Sequence, residues 1–405
     1  MSQLARFVSR LAWSASRLSR SVPPLTCLVA LAALAAATAA APAVALDAAD
    51  PYVYVPNRGS ADVAVVDSRT DRLVARIPVG NVPHQVAISD VAGKLVASNT
   101  ADDTISIVDL GTLATTTLKL DHEPEHMELG PDGDLLAVGN IAAGTVSLVS
   151  LAEEREVARV GGLFDPHNLT FSPDGARLFV ANLGASHVSV IDVASAAIID
   201  EIKIAEPPAL AAIEGVGAEF QGIINVTATP DGRLGFAAYG EANELAVIDL
   251  RTRALKKMVP LGELPWRAYS TADGRFMLVP NNGDRTLSVI STDTLEVVAT
   301  LPAAEDVTGV NTGWFETTAF ALSRAGRKAV VYDLEAMARV GEIGLPGTPE
   351  TGVTTPDGTK LYVALSDTDQ VAVIDVRARE LIKTIDGVGE EPWGTMMIGT
   401  LNYCH

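Results

Sequence analysis

From about residue 52 onward, apolar and polar positions alternate in short runs that end on a turn-forming Asp or Ser: VAVVD, ISIVD, VSLVS, VSVID, LAVID, LSVIS, AVVYD and VAVID. The last residues of these runs are Asp67, Asp109, Ser150, Asp192, Asp249, Ser291, Asp333 and Asp375, spaced by 42, 41, 42, 57, 42, 42 and 42 positions. Ten residues before each, a second apolar run ends at Asn57, Asn99, Asn140, Asn182, Tyr239, Asn281, Ser323 and Leu365. Seventeen residues before them, Gly133, Gly175, Gly232, Gly274 and Gly358 close Pro-Asp-Gly or Ala-Asp-Gly turns, with Gly93 one place off. Alternation with a period of two, broken by such turns, predicts hairpins throughout and no helix. Each repeat therefore reads as four short antiparallel strands, a to d.

Repeated four-stranded units of this length are the mark of a β-propeller, because each sheet has two apolar faces that only neighbouring blades bury. The expected fold is all-β: an eight-bladed propeller of four-stranded antiparallel blades over residues 46–397. Its b-c-d units fall near 52–80, 93–120, 133–161, 175–204, 232–261, 274–302, 316–344 and 358–386. The chain opens on strands b, c and d of blade one and closes on a lone strand a, residues 392–397. That last strand is expected to complete the first blade, which removes two free sheet edges. Two irregularities stand out: an insertion at 205–220 between blades four and five, and VTGVNTGWFE in place of the turn motif in blade seven. The YVYVPN, LFVAN and LYVAL segments, with their VAVID-type partners, resemble the YVTN repeat family of propellers over residues 52–397.

The first residues do not share the pattern. Arg6, Arg10, Arg17 and Arg20, without any acid, precede the run LTCLVALAALAAATAA and then Ala43-Val44-Ala45. That sequence of regions reads as a cleavable secretory signal peptide over residues 1–45, placing the protein in the periplasm. Cys27 lies before the apolar stretch and lacks small residues ahead of it, so no lipid anchor is expected. Removing four arginines and no acid takes the formal net charge from −20 to −24, a surface that repels nucleic acid and anionic lipid. Cys404 is the one cysteine beyond residue 45, so no intrachain disulfide is expected, and stability rests on packing.

Chemistry gathers where the repeat register places the openings of strand a, around the mouth of the central channel. Proline precedes several of them: Pro83-His84, Pro124-Glu125-His126, Pro166-His167, Pro265-Trp266-Arg267, Pro349-Glu350 and Pro392-Trp393. His84, His126 and His167 open adjacent strands and are the leading candidate metal ligands, since neutral imidazole beside carboxylate suits Zn, Cu or Fe. His122 and His187 fall on the same rim as weaker candidates. Cys404 and His405, in a tail at 398–405, form a separate candidate pair on the opposite rim. Trp266 and Trp393 are placed to stack a flat ligand. The Asn and Asp rows are read as turn residues without a ligand.

Eight blades, export and rim histidines are similar to the haem-carrying propeller of cytochrome nitrite reductases and its maturation relatives. That resemblance implies a modified haem held by a mouth histidine, at His84, His126 or His167. No C-x-x-C-H occurs for an electron-entry haem, which argues against a self-contained reductase. The closing Pro392-Trp393-Gly394 also resembles YVTN-type propellers that accompany periplasmic quinoprotein oxidation systems. The leading expectation is a non-catalytic propeller that binds a small ligand or a periplasmic protein, accessory to a redox system. The alternative is a copper- or haem-dependent oxidoreductase or cofactor-maturation protein. A lactonase-like hydrolase, drawing on Glu125 and Glu350, is a third.

Overall fold

Alternating Val, Ile, Leu and Ala give strands whose two faces are both apolar, and burial follows that pattern closely. Tyr52–Asn57 is buried at every position, whereas the outer strand Glu296–Pro302 alternates exposed and half-buried residues until its end. The computed structural model describes residues 45–47, 50–205 and 222–400.

Those residues form eight antiparallel sheets, seven of four strands and one of three, each ordered from channel to periphery along the chain. This is the eight-bladed propeller that the repeat predicts. The innermost strands are Pro83–Ser89, Pro124–Leu129, Pro166–Phe171, Thr227–Ala228, Tyr269–Ser270, Val307–Gly313 and Pro349–Thr354 in blades two to eight. In blade one the C-terminal segment takes that place: Met396 pairs with Tyr54 through reciprocal backbone bonds of 2.8 and 2.9 Å, and Pro392 pairs with Asn57. The closure is the one expected from the lone strand a.

Apolar side chains interdigitate between blades, so each sheet pair shares one layer of core. Phe320 and Leu322 of blade seven meet Leu361 and Val363 of blade eight, while Val53 and Val55 of blade one meet Val371 and Val373. The Asn row is more than a set of turn residues. Asn99, Asn140 and Asn281 are buried, and each donates from Nδ2 to a Thr and a Ser hydroxyl on the next strand, at 2.9 to 3.0 Å.

Blades five and six keep only two residues each in regular innermost strands. Side chains replace the missing ladder: Thr227 Oγ1 donates to Ala268 O at 2.7 Å, and Asn225 Nδ2 donates to Thr227 Oγ1 at 2.7 Å. Blade seven turns through Trp314, Phe315 and Glu316, all left-handed with φ of 51°, 56° and 59°. This turn bridges its neighbours, since Trp314 N–H bonds Gly358 O at 2.9 Å and Glu316 accepts from Ala272 N–H at 3.0 Å. The insertion expected at 205–220 lies outside the described residues except for Ala205.

Candidate functional site

Proline at the start of an innermost strand is locally apt, because its missing N–H falls where the ladder begins. Just after it the register slips. Bulges lie between Pro83 and Val86 in blade two, and between Pro124 and Met127 in blade three. A bulge sets two successive residues against one partner and re-aims a side chain. In blade three this brings Glu125 and His126, neighbours in sequence, to one group of donors.

His84 Nε2 lies 3.2 Å from Glu125 Oε1, and His126 Nε2 lies 3.5 Å from the same oxygen. The three donor atoms fall within 4.8 Å of one another. His126 Nε2 is also 3.1 Å from His167 Nε2, with the two rings 4.0 Å apart. His167 is held from behind by Ile224 O, 3.1 Å from its Nδ1, with the Arg267 guanidinium beside it as a neighbouring positive charge. Assigning the proton to Nδ1, toward the carbonyl, turns the Nε2 lone pair toward His126. Burial, then the neighbouring His126 and Arg267, hold the His167 imidazole well below its ordinary pKa, in its neutral form.

The backbone beneath this group is tied across blades. Ser98 Oγ donates to Glu125 O at 2.7 Å, and Met127 N–H donates to Gln85 Oε1 at 2.6 Å. The three histidines that open adjacent strands thus come together, with Glu125 joining two of them.

His84 and Glu125 line a cavity of about 420 Å³ at the channel mouth, with Arg58, Glu123, Trp266, Asp306, Arg324 and Trp393 among its walls. The Arg58 guanidinium stacks on the Trp393 ring at 4.2 Å, Arg324 approaches it at 5.9 Å, and the His84 ring lies tilted against it, centres 6.1 Å apart. Arg324 also pairs with buried Glu350 at 3.4 Å. Both tryptophans singled out in the sequence therefore face this mouth.

The weaker candidates stand elsewhere. His122 is exposed and bonded to Asp103 at 2.8 Å, which raises its pKa. His187 packs against Phe164, ring centres 5.8 Å apart. Cys404 and His405 lie outside the described residues.

Sequence reasoning missed Arg58, Arg324 and Glu128. Along blade three, the order Glu125, His126, Met127, Glu128 steps from the mouth into a second cavity of about 460 Å³, lined by Glu128, Asn168, Thr170, Asn225, Thr227 and Arg267. Burial pushes the Glu128 carboxyl up to about 8. Its position two residues beyond His126, on the same strand face, was the available signal.

Comparison with known proteins gives fold and family. The family model described as a YNCE-like beta-propeller matches residues 87–402. No curated protein matches the chain. Among solved structures, dihydro-heme d1 dehydrogenase NirN in complex with DHE superposes with a TM-score of 0.72 at 16% identity, covering 86% of this chain and 75% of that one. Hydrazine synthase of Kuenenia stuttgartiensis gives 0.55 at 20% identity, covering 72% and 95%. A functionally unknown protein from Desulfotomaculum acetoxidans gives 0.56 at 13% identity, covering 75% and 98%. The expected distant similarity to haem-binding propellers is thus a likeness of fold. Among the described residues, no helix is long and apolar enough to cross a membrane.

Proposed function

This chain belongs to the YNCE-like β-propeller family, and from that premise we propose that it is an exported, non-catalytic propeller that binds a flat, anionic small molecule in its channel mouth, accessory to a redox system. The observation that carries the reading is the mouth itself: a cavity of about 420 Å³ where Arg58 and Arg324 flank Trp393, with Trp266 also in the wall. That volume is typical of small-molecule sites. Indole faces and guanidinium forks together favour a planar ring that carries carboxylates. Export is supported by the basic and apolar opening of the sequence.

The test is a tryptophan-fluorescence titration of the purified propeller with two planar anionic probes, haemin and an aromatic quinone polycarboxylate. Saturable quenching is expected with at least one, weakened about 10-fold in Trp393→Ala and in Arg58→Ala, a loss near 1.4 kcal/mol. No saturable quenching by either probe overturns the reading. Amino-terminal sequencing of the protein from a periplasmic extract is expected to begin at Leu46.

A second reading is favoured by the clustered imidazoles: a copper- or haem-dependent redox or cofactor-maturation protein. NirN, whose structure holds DHE, has a like fold. A Soret or copper charge-transfer band in protein from its native compartment, lost in His84→Ala, is the outcome that selects it.

A further inference from the structure

We propose that the channel mouth holds one divalent d-block ion, zinc or copper, coordinated by His84 Nε2, Glu125 Oε1 and His126 Nε2, with a fourth position open to the cavity. This rests on the reading that the mouth is the binding site and adds the chemistry of its anchor.

Geometry is the first support. A tetrahedral ion bound at about 2.0–2.1 Å from N and O donors sets those donors about 3.3 Å apart. The spacings to the shared carboxylate oxygen are 3.2 and 3.5 Å, and all three atoms fall within 4.8 Å. An ion enters with shifts of a few tenths of an ångström at Glu125 and of up to about 1.5 Å between the two imidazoles. Donor type is the second. Two imidazole nitrogens and one carboxylate suit zinc or copper, whereas calcium and magnesium favour all-oxygen shells.

Preorganisation is the third support. His84 and His126 are buried, at 6% and 3% exposure, on innermost strands of adjacent blades. The carbonyl of Glu125 is tied to Ser98, and the His167 ring, anchored at Ile224 O, packs 4.0 Å from the His126 ring and limits its rotation. Outer partners of this kind fix ligand orientation and tune affinity. His84 and Glu125 also line the mouth cavity, so the position left by three protein donors opens to Arg58 and Trp393. An ion there neutralises Glu125 and lets a carboxylate bridge the metal and the arginines. Three protein ligands with one exchangeable position is the arrangement of reactive rather than purely structural zinc sites.

The experiment uses the whole propeller, stripped with a chelator and titrated with Co²⁺ by visible absorption, then with Zn²⁺ by calorimetry. One equivalent of Co²⁺ is expected to give tetrahedral absorption bands that Zn²⁺ abolishes, with zinc binding tighter than about 1 µM. His84→Ala and His126→Ala are each expected to weaken binding by about 100-fold or more, because primary donors outweigh the outer partners whose loss costs about 10–100-fold. Glu125→Gln keeps the shape of the side chain and serves as the second variant should a histidine change unfold the protein; it too is expected to weaken binding. His187→Ala is expected to leave binding unchanged. No stoichiometric ion tighter than about 10 µM in the unmutated protein, or undiminished binding in Glu125→Gln and the histidine variants alike, overturns the proposal. Planar-probe quenching measured on the stripped protein separates the two readings. Quenching without metal binding sinks the ion alone, and loss of both sinks the mouth as a site.

Discussion

At the residue scale, the same side-chain types serve as framework or as chemistry according to where the register puts them. Asn140 is buried and donates to Thr145 at 3.0 Å and Ser147 at 2.9 Å, so Asn140→Ala leaves hydroxyls without their donor inside the sheet. A loss of about 1–3 kcal/mol is expected by chemical denaturation. His122 shows the opposite case, an exposed imidazole held by Asp103. Its hydrogen bond and charge raise the His122 pKa above 6.5. A group with a raised folded-state pKa supports the fold below its unfolded value, and the support is lost as pH rises through the folded value. An NMR titration is expected to place His122 above 6.5, and Asp103→Asn to bring it back toward that value.

At the scale of elements, the turns carry the regularity that the eye finds in the sequence. Asp192 accepts from the backbone N–H and hydroxyl of Ser195, at 3.0 and 2.8 Å, and Asp249 accepts from Thr252 N–H at 2.8 Å. These hydrogen bonds lower both carboxyl pKa values below 3.8. Depressed carboxylates stabilise the fold above their unfolded pKa, and that contribution disappears as pH falls through the folded value. Acid unfolding should therefore set in below about pH 4 and shift to higher pH in the Asp192→Ala, Asp249→Ala double variant. Gly232 makes a sharper case. It sits at φ +64° with space for a Cβ only 2.0 Å from Pro173 Cγ of the preceding blade. Gly232→Ala is expected to lower thermal stability by about 1–3 kcal/mol through strain and displacement of that proline.

Periodicity made these elements legible, and the same periodicity concealed the site's geometry. Strict alternation sends Glu125 and His126 to opposite faces of the strand, and only the bulge between Pro124 and Met127 joins them. Proline marks where such a slip occurs without saying how large it is. Arg58 and Arg324 were illegible for a different reason: they lie just past strand b, as Asn282 does, and only closure of the ring brings them over Trp393. Blade seven departs from the turn motif because its turn bonds both neighbours, a lateral role that a single repeat does not display.

At the scale of the molecule, the ring is held by contacts between its first and last blades. Asp71 of blade one receives Lys360 Nζ at 2.8 Å and the Tyr362 hydroxyl from blade eight, while Asn57 donates to Val388 O at 2.8 Å. Tyr362→Phe removes one such bond and is expected to cost about 1–2 kcal/mol, checked by urea unfolding.

The seam has a consequence in time as well as in space. The partners of Tyr54 and Pro56 arrive with Met396 and Trp393, beyond the eighth blade, so the edge of the first blade is covered only after the other seven have been made. Such distant pairing is slow to form. Until it does, the ring is an open arc whose uncovered sheet edge can pair with another chain.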